Sequence, residues 1–114
     1  MTDLATVVTY DEAVSVDLSH GKMKTPITIW VKHIDCDAAT QAGRDHDNGK
    51  YAKHTRGMVV LAACFDRWEW NGNDINGDVP DLSMESALDV LSTAKWMVTP
   101  LLKKVTDLGN FTPV

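Results

Sequence analysis

Residues 14–34, VSVDLSHGKMKTPITIWVKHI, decide the class of this fold. Val14, Val16 and Leu18 alternate with Ser15, Asp17 and Ser19, and Ile27, Ile29 and Val31 alternate with Thr28, Trp30 and Lys32. A period of two sends successive side chains to opposite faces of a strand, and β-branched residues suit that pleated surface. Gly21, in the join between the two runs, can take the positive φ that a turn demands. The segment reads as an antiparallel β-hairpin over about residues 12–34, with one apolar face. Two strands alone are barely stable in water, so the rest of the chain must cover that face. Trp30 stands on the opposite face from Ile27, Ile29 and Val31, which suggests a sheet covered twice, by its own helices and by a neighbouring chain.

The cover is expected to be helical. Ala38, Ala39 and Ala42 follow Asp35 and Asp37, either of which can cap a short helix, and Asp45-His46-Asp47-Asn48-Gly49 interrupts the pattern. From Lys50 onward, Tyr51, His54 or Thr55, Met58, Val59, Ala62 and Phe65 recur at helical steps, which predicts a second helix to about Phe65. Asn71-Gly72 and Asn76-Gly77 are turn dipeptides, and Pro80 ends the loop. Ser83 stands at the cap of a third helical run through Met84, Ala87, Leu88, Leu91 and Ala94, continued by Val98, Leu101, Leu102, Val105 and Leu108. Pro100 lacks the amide that a helix interior needs, so the run kinks there or restarts with Thr99 as cap. Lys103 and Lys104 suit the negative end of that helix, and Gly109 can close it. The expected class is α+β: a single domain of 114 residues in which the hairpin packs against a mainly α-helical remainder.

The totals exclude several classes of function. At 44% hydrophobic and 24% charged, the chain has the composition of one that folds. Its net charge of -5 repels phosphate backbones, so no nucleic-acid partner is expected. The longest apolar run, residues 58–65, is far shorter than the roughly 20 residues that cross a bilayer, so no membrane partner is expected either. Residues 1–5 lack the basic and apolar regions of a secretory signal, and Cys36 and Cys64 alone do not make a disulfide framework. Both points suit a reducing cytoplasm.

Catalytic and metal chemistry finds little purchase. His33 and Cys36 stand three apart, with His46, His54 and Cys64 downstream, but no paired Cys-x-x-Cys or His-x-x-x-His spacing arranges them as zinc ligands. The carboxylates of residues 45–49 and 74–81 miss the register of a calcium loop, where glycine takes the sixth position and a bidentate glutamate the twelfth. Nucleophile elbow, phosphate-cradling loop and Ser-x-x-Lys pair are all missing from the sequence. The residues read as a protein with no cofactor, no metal and no catalytic group. A small metal-dependent or hydrolytic enzyme would need those histidines and cysteines to converge.

The indoles remain to be explained. Indole either buries itself or grips a partner, and in FDRWEWNGN, residues 65–73, Trp68 and Trp70 point to one side if the stretch is extended. They are expected to pack on the C-terminal helices as core or core rim, the alternative being that at least one indole lies on a surface patch that grips a partner. From about Leu61 to Phe111 the order is an apolar helix end, Trp68-Glu69-Trp70 with Asn71-Gly72, and an acidic loop ending Val79-Pro80-Asp81-Leu82-Ser83. Glu85 through Leu91, Trp96, and Asp107-Leu108-Gly109-Asn110-Phe111 follow. This order resembles the tail assembly chaperones of long-tailed bacteriophages. The resemblance implies a non-enzymatic factor of the host cell cytoplasm. Such a factor binds the tape measure protein, assists assembly of the tail tube protein around it, self-associates, and is absent from the mature virion. The alternative is a structural tail protein retained in the virion. Trp30, Trp68, Trp70, Trp96, Met97 and Phe111 are the candidate partner-binding residues, because aromatic and methionine side chains adapt to the apolar stripes of helical clients.

Overall fold

A computed structural model describes residues 8–112; the start that was read for a targeting signal and the closing Pro113-Val114 lie outside the described residues. The hairpin is present within the expected bounds, as β1 (Val14–Leu18) and β2 (Ile27–Val31). Val14 pairs with Val31, Val16 with Ile29 and Leu18 with Ile27, which gathers six aliphatic side chains on one face. Ile29 and Val31 are fully buried there. Gly21 takes φ +61 in the join.

A third strand, β3 (Phe65–Glu69), pairs antiparallel with β2 and completes a sheet of order β1-β2-β3. It corrects the expected helix over residues 50–65. Gly49 and Tyr51 sit in the left-handed region at φ +95 and +57, so a right-handed helix cannot pass through them. Helix α2 (Arg56–Ala63) starts only after Thr55, whose hydroxyl accepts the Met58 amide at 3.3 Å. It stops where the Lys32 amide donates to the Cys64 carbonyl at 2.8 Å and draws the chain onto the sheet. Phe65 is therefore a strand residue facing Val31, and the register slips between Trp30 and Val31 to admit it.

The other helices follow the sequence with shifted ends. Helix α1 (Asp37–Asp47) has Cys36 at its cap position in place of Asp35 or Asp37, and the acceptor for the Asp37 amide is Asp11 Oδ1 at 3.2 Å, far away in sequence. It continues through Asp45-His46-Asp47 and ends at Asn48, whose amide donates to the Arg44 carbonyl, with Gly49 closing on His46. Helix α3 (Met84–Thr93) begins with the expected Ser83 cap. The expected run to Leu108 breaks at Ala94, where residues Lys95–Met97 form one 3-10 turn before α4 (Val98–Thr106). Pro100 thus lies in the first turn of α4, where its missing amide costs nothing, and Thr99 is inside the helix rather than at its cap. Asp107 ends α4, two residues before Gly109.

Helix α1 packs on α2, α2 on α3 and α4, and α4 on β1. The shared core holds Val59, Leu61, Leu91, Met97, Leu101 and Val105, none of them more than 1% exposed. Each such side chain stabilises the fold by roughly 1.5–3 kcal/mol through removal from water. The outer face of the sheet is polar. Thr28 donates to Asp17 at 2.8 Å, and the Arg67 guanidinium lies 3.9 Å from the centre of the Trp30 ring. The second apolar face expected around Trp30 is a single half-buried indole roofed by a cation.

Candidate functional site

Trp68 stands opposite Ile29 and therefore on the inner, helix-covered side of the sheet. Trp70, one pleat further, turns to the same side; its ring meets that of Trp68 edge to face at 5.5 Å and 86°, and Phe65 meets Trp68 similarly at 6.2 Å. Edge-to-face pairs of this kind contribute about 0.5–1.5 kcal/mol beyond the area they bury. The Trp68 indole N–H donates to the Pro80 carbonyl at 3.1 Å, which pins the loop back against the strand.

Two Asn-Gly turns shape that loop. Asn71 and Gly72 have φ +53 and +88, and Asn76 and Gly77 have φ +53 and +80, the paired positive values that asparagine and glycine tolerate best. The first turn is fastened to the start of β2: Asn71 Nδ2 donates to the Pro26 carbonyl at 2.8 Å and Asn73 Nδ2 to that of Thr25 at 3.0 Å. The second is a small hairpin in which Ile75 and Asp78 exchange both backbone hydrogen bonds, at 2.8 and 3.0 Å. Asp74 accepts the Gly77 amide at 3.4 Å, so it serves the turn itself. Ser83 and Ser86 then exchange hydrogen bonds as a capping box, and Ser86 Oγ also donates to the Asp81 carbonyl at 2.6 Å.

The candidate partner-binding residues divide by burial. Trp30, Trp68 and Trp96 are half-buried, Trp96 with its ring stacked on His20 at 5.2 Å. Trp70 is 6% exposed, Met97 0% and Phe111 1%. Met97 and Phe111 are enclosed by the chain itself and lend no free surface, and Trp70, part of the buried core, lends little. Trp70 carries one oddity: its indole N–H is buried without an acceptor, an arrangement that costs about 1–3 kcal/mol when nothing compensates it.

Concavities surround this framework. A groove of about 410 Å³ is walled by Ala38, Ala42, Tyr51, Phe65, Leu82 and Met84. A pocket of about 240 Å³ is walled by Met23, Ile27, Trp70, Ile75, Trp96 and Met97. A cleft of about 470 Å³ takes in Asp78, Pro80, Asp89 and Val90, and shares Ile75, Val90 and Thr93 with the pocket. Val79 projects from the loop at 56% exposure. From residue 68 to residue 94 there are six acids, Glu69, Asp74, Asp78, Asp81, Glu85 and Asp89, and no lysine or arginine. The sequence shows this run plainly, whereas the pocket floor depends on the seating of Trp70 and could not be read from it.

The thiols and imidazoles form a different region. His33, 3% exposed, accepts the Asp35 amide on Nδ1 at 3.0 Å, which leaves its ring proton on Nε2, buried and without a partner. Tyr10 and Phe111 meet the ring edge-on at 5.0 and 5.1 Å. Cys36 and Cys64 are free and fully buried beside it, with the Cys36 amide donating to the His33 carbonyl at 2.9 Å and Cys64 Sγ 3.8 Å from the same oxygen. A hydrogen bond from the Cys64 thiol lowers Cys36 to about 7 despite burial, and the neighbouring Cys36 sulfur together with burial pushes Cys64 up. His46 is elsewhere, bonded through Nε2 to the His54 carbonyl at 2.7 Å. Among the described residues no three His, Cys, Asp or Glu side chains group so as to hold a metal ion, and no helix is long and apolar enough to cross a membrane.

The chain matches no family model, no curated protein and no solved structure.

Proposed function

We propose that the chain is a tail assembly chaperone of a long-tailed bacteriophage, a non-enzymatic factor that binds the tape measure protein in the host cytoplasm. It assists assembly of the tail tube around that protein and departs before the virion matures. The observation that carries this reading is the loop of residues 71–83, pinned by Trp68 to Pro80 and flanked by two apolar-walled concavities and a polar cleft. Those concavities fall largely within the stretch, 61–111, whose order of tryptophans, proline, serine cap and Asp-x-x-Asn-Phe resembles that family. Shallow apolar grooves with half-buried indoles suit the apolar stripe of a long helical client.

Co-expression with the tape measure protein of the same genome tests the proposal. The expected result is a rise in the client's solubility and co-purification of the two chains; a client that stays insoluble and alone removes the reading. Peptide mass spectrometry of purified virions separates it from the structural alternative, since a departing factor leaves only traces and a retained one is abundant.

A further inference from the structure

We infer that the pocket beneath Trp70 and the acidic cleft beside it form one docking surface for a basic amphipathic segment of a partner protein. Such a segment carries a bulky apolar anchor and a lysine or arginine one helical turn away. The inference deepens the binding role proposed above and rests on it.

Three observations on this face agree. The pocket between Ile27, Trp70, Trp96 and Met97 has about 240 Å³, and a cavity of ~150 Å³ already holds a benzene ring, so a leucine or phenylalanine side chain fits. Trp70 and the half-buried Trp96 both line it, and indole packs well against such an anchor. Ile75, Val90 and Thr93 belong to the pocket and to the adjoining cleft at once, so the apolar seat and the carboxylates of Asp78 and Asp89 are parts of one continuous surface.

Charge selects the occupant. Of the six acids in residues 68–94, Asp74, Asp78 and Asp89 line the pocket or the cleft, and neither lining contains a lysine or arginine. A nucleic acid or an acidic segment is repelled by such a field, whereas a cationic one is steered toward it and held beside its anchor. Neighbours three and four residues apart on a helix lie about 5–6 Å apart, so one helical face can carry both the anchor and the cation.

Two synthetic 16-residue amphipathic helices test this with the full chain. Both have the same leucine and phenylalanine stripe, and their flanking positions carry lysine in one and glutamate in the other. Fluorescence anisotropy of the labelled peptides should give the lysine peptide at least tenfold tighter binding, and its titration should shift the Trp70 and Trp96 indole N–H signals in nitrogen-15 NMR spectra. The double variant D78N/D89N, at two exposed positions, should weaken the lysine peptide about fivefold and flatten its salt dependence. Thr93→Arg, on the shared wall, should abolish binding. Equal binding of the two peptides, an unchanged affinity in D78N/D89N, or shifts confined to Trp68 would overturn the proposal. So would absence of binding, or sedimentation showing that the face is covered by a second copy whose association D78N/D89N breaks.

The outcomes separate this surface from the named client. Lost lysine preference with retained co-purification of the tape measure protein overturns the surface and keeps the function. The reverse pattern keeps the surface and removes the client.

Discussion

The two ends of β2 lead into regions built on opposite rules. Beyond Val31 lies an enclosed junction: Cys36, Cys64 and Phe111 are no more than 1% exposed and His33 is 3% exposed, its Nε2 buried without a partner. Distant parts of the chain are tied together there, with the Thr9 amide and hydroxyl both on the Phe111 carbonyl at 2.7 and 2.6 Å and the Ile34 amide on Val105 at 2.9 Å. Before Ile27 the chain meets the tryptophan loop, which is held by its own turns and by asparagine side chains that reach residues 25 and 26, and this end keeps Trp68, Trp96 and Val79 at least partly in solvent. Full enclosure stabilises the fold but offers a partner nothing. Incomplete enclosure leaves free energy to be gained by binding, so the loop end is where function is to be sought.

The largest effect should come from the enclosed junction. Phe111→Ala removes a ring that packs against His33 and sits in the core, at a cost of about 4 kcal/mol for a buried aromatic truncated to alanine. Urea denaturation checks it. The comparison predicts that the molecules still folded bind a client as before; a variant that loses binding while keeping its stability would dissolve the distinction between the two ends.

Trp70→Ala should cost less, about 3 kcal/mol, since removing the ring also removes an unpaired buried N–H. Trp70→Phe separates the two terms. It keeps most of the packing and deletes the unpaired donor, so its denaturation midpoint should lie close to that of the parent. A loss as large as that of Trp70→Ala would show that the N–H has a partner.

The junction also predicts a pH effect. Cys36 is held at about 7, against an ordinary 9.0, chiefly by the hydrogen bond from Cys64. Between those values the folded chain has released a proton that the unfolded chain still binds, so stability rises with pH across the window, is complete above it and is absent below it. Cys64 is shifted upward and acts in the opposite sense: above 9.0 the unfolded chain loses a proton that the folded chain keeps, and stability falls. The rise should be about 2 kcal/mol, bounded by 1.36 kcal/mol for each pH unit. Thermal unfolding at pH 7 and 9 measures it, and Cys36→Ser should flatten it.

The hairpin, the third and fourth helices and the serine cap were legible because each is written in neighbouring residues: alternation, helical steps, an Asn-Gly pair, a serine after proline. Strand β3 was not, because residues 58–65 are apolar without interruption and the periodicity of α2 runs smoothly into Phe65. What ends the helix is the Lys32 amide, a long-range partner that no local pattern announces. The start of α2 failed for a similar reason, since a left-handed tyrosine at position 51 is rare. At the site, the acidic run could be read directly and the expected packing of Trp70 as core agrees with its burial, but the burial of Met97 and Phe111 could not be read. An indole that lines a core and one that greets a partner have the same letter, and only the packing around β3 distinguishes them.

The smallest effect bears on how the loop end is held. Ser83→Ala removes the acceptor of the Ser86 amide while leaving Ser86 Oγ bonded to Asp81, so the cost is that of half a capping box, about 1 kcal/mol. Where a region is fastened by local bonds, such a loss opens that region alone; where it is fastened by the global core, the same loss is shared by the whole molecule. Amide exchange in Ser83→Ala should therefore accelerate in the first turn of α3 and around Asp78, with the amides of Ile29 and Val59 slowed or hastened no more than the small change in total stability requires. Uniform acceleration across the sheet would mean that the loop and the junction unfold as one unit, and the contrast between the two ends of β2 would then be one of exposure only.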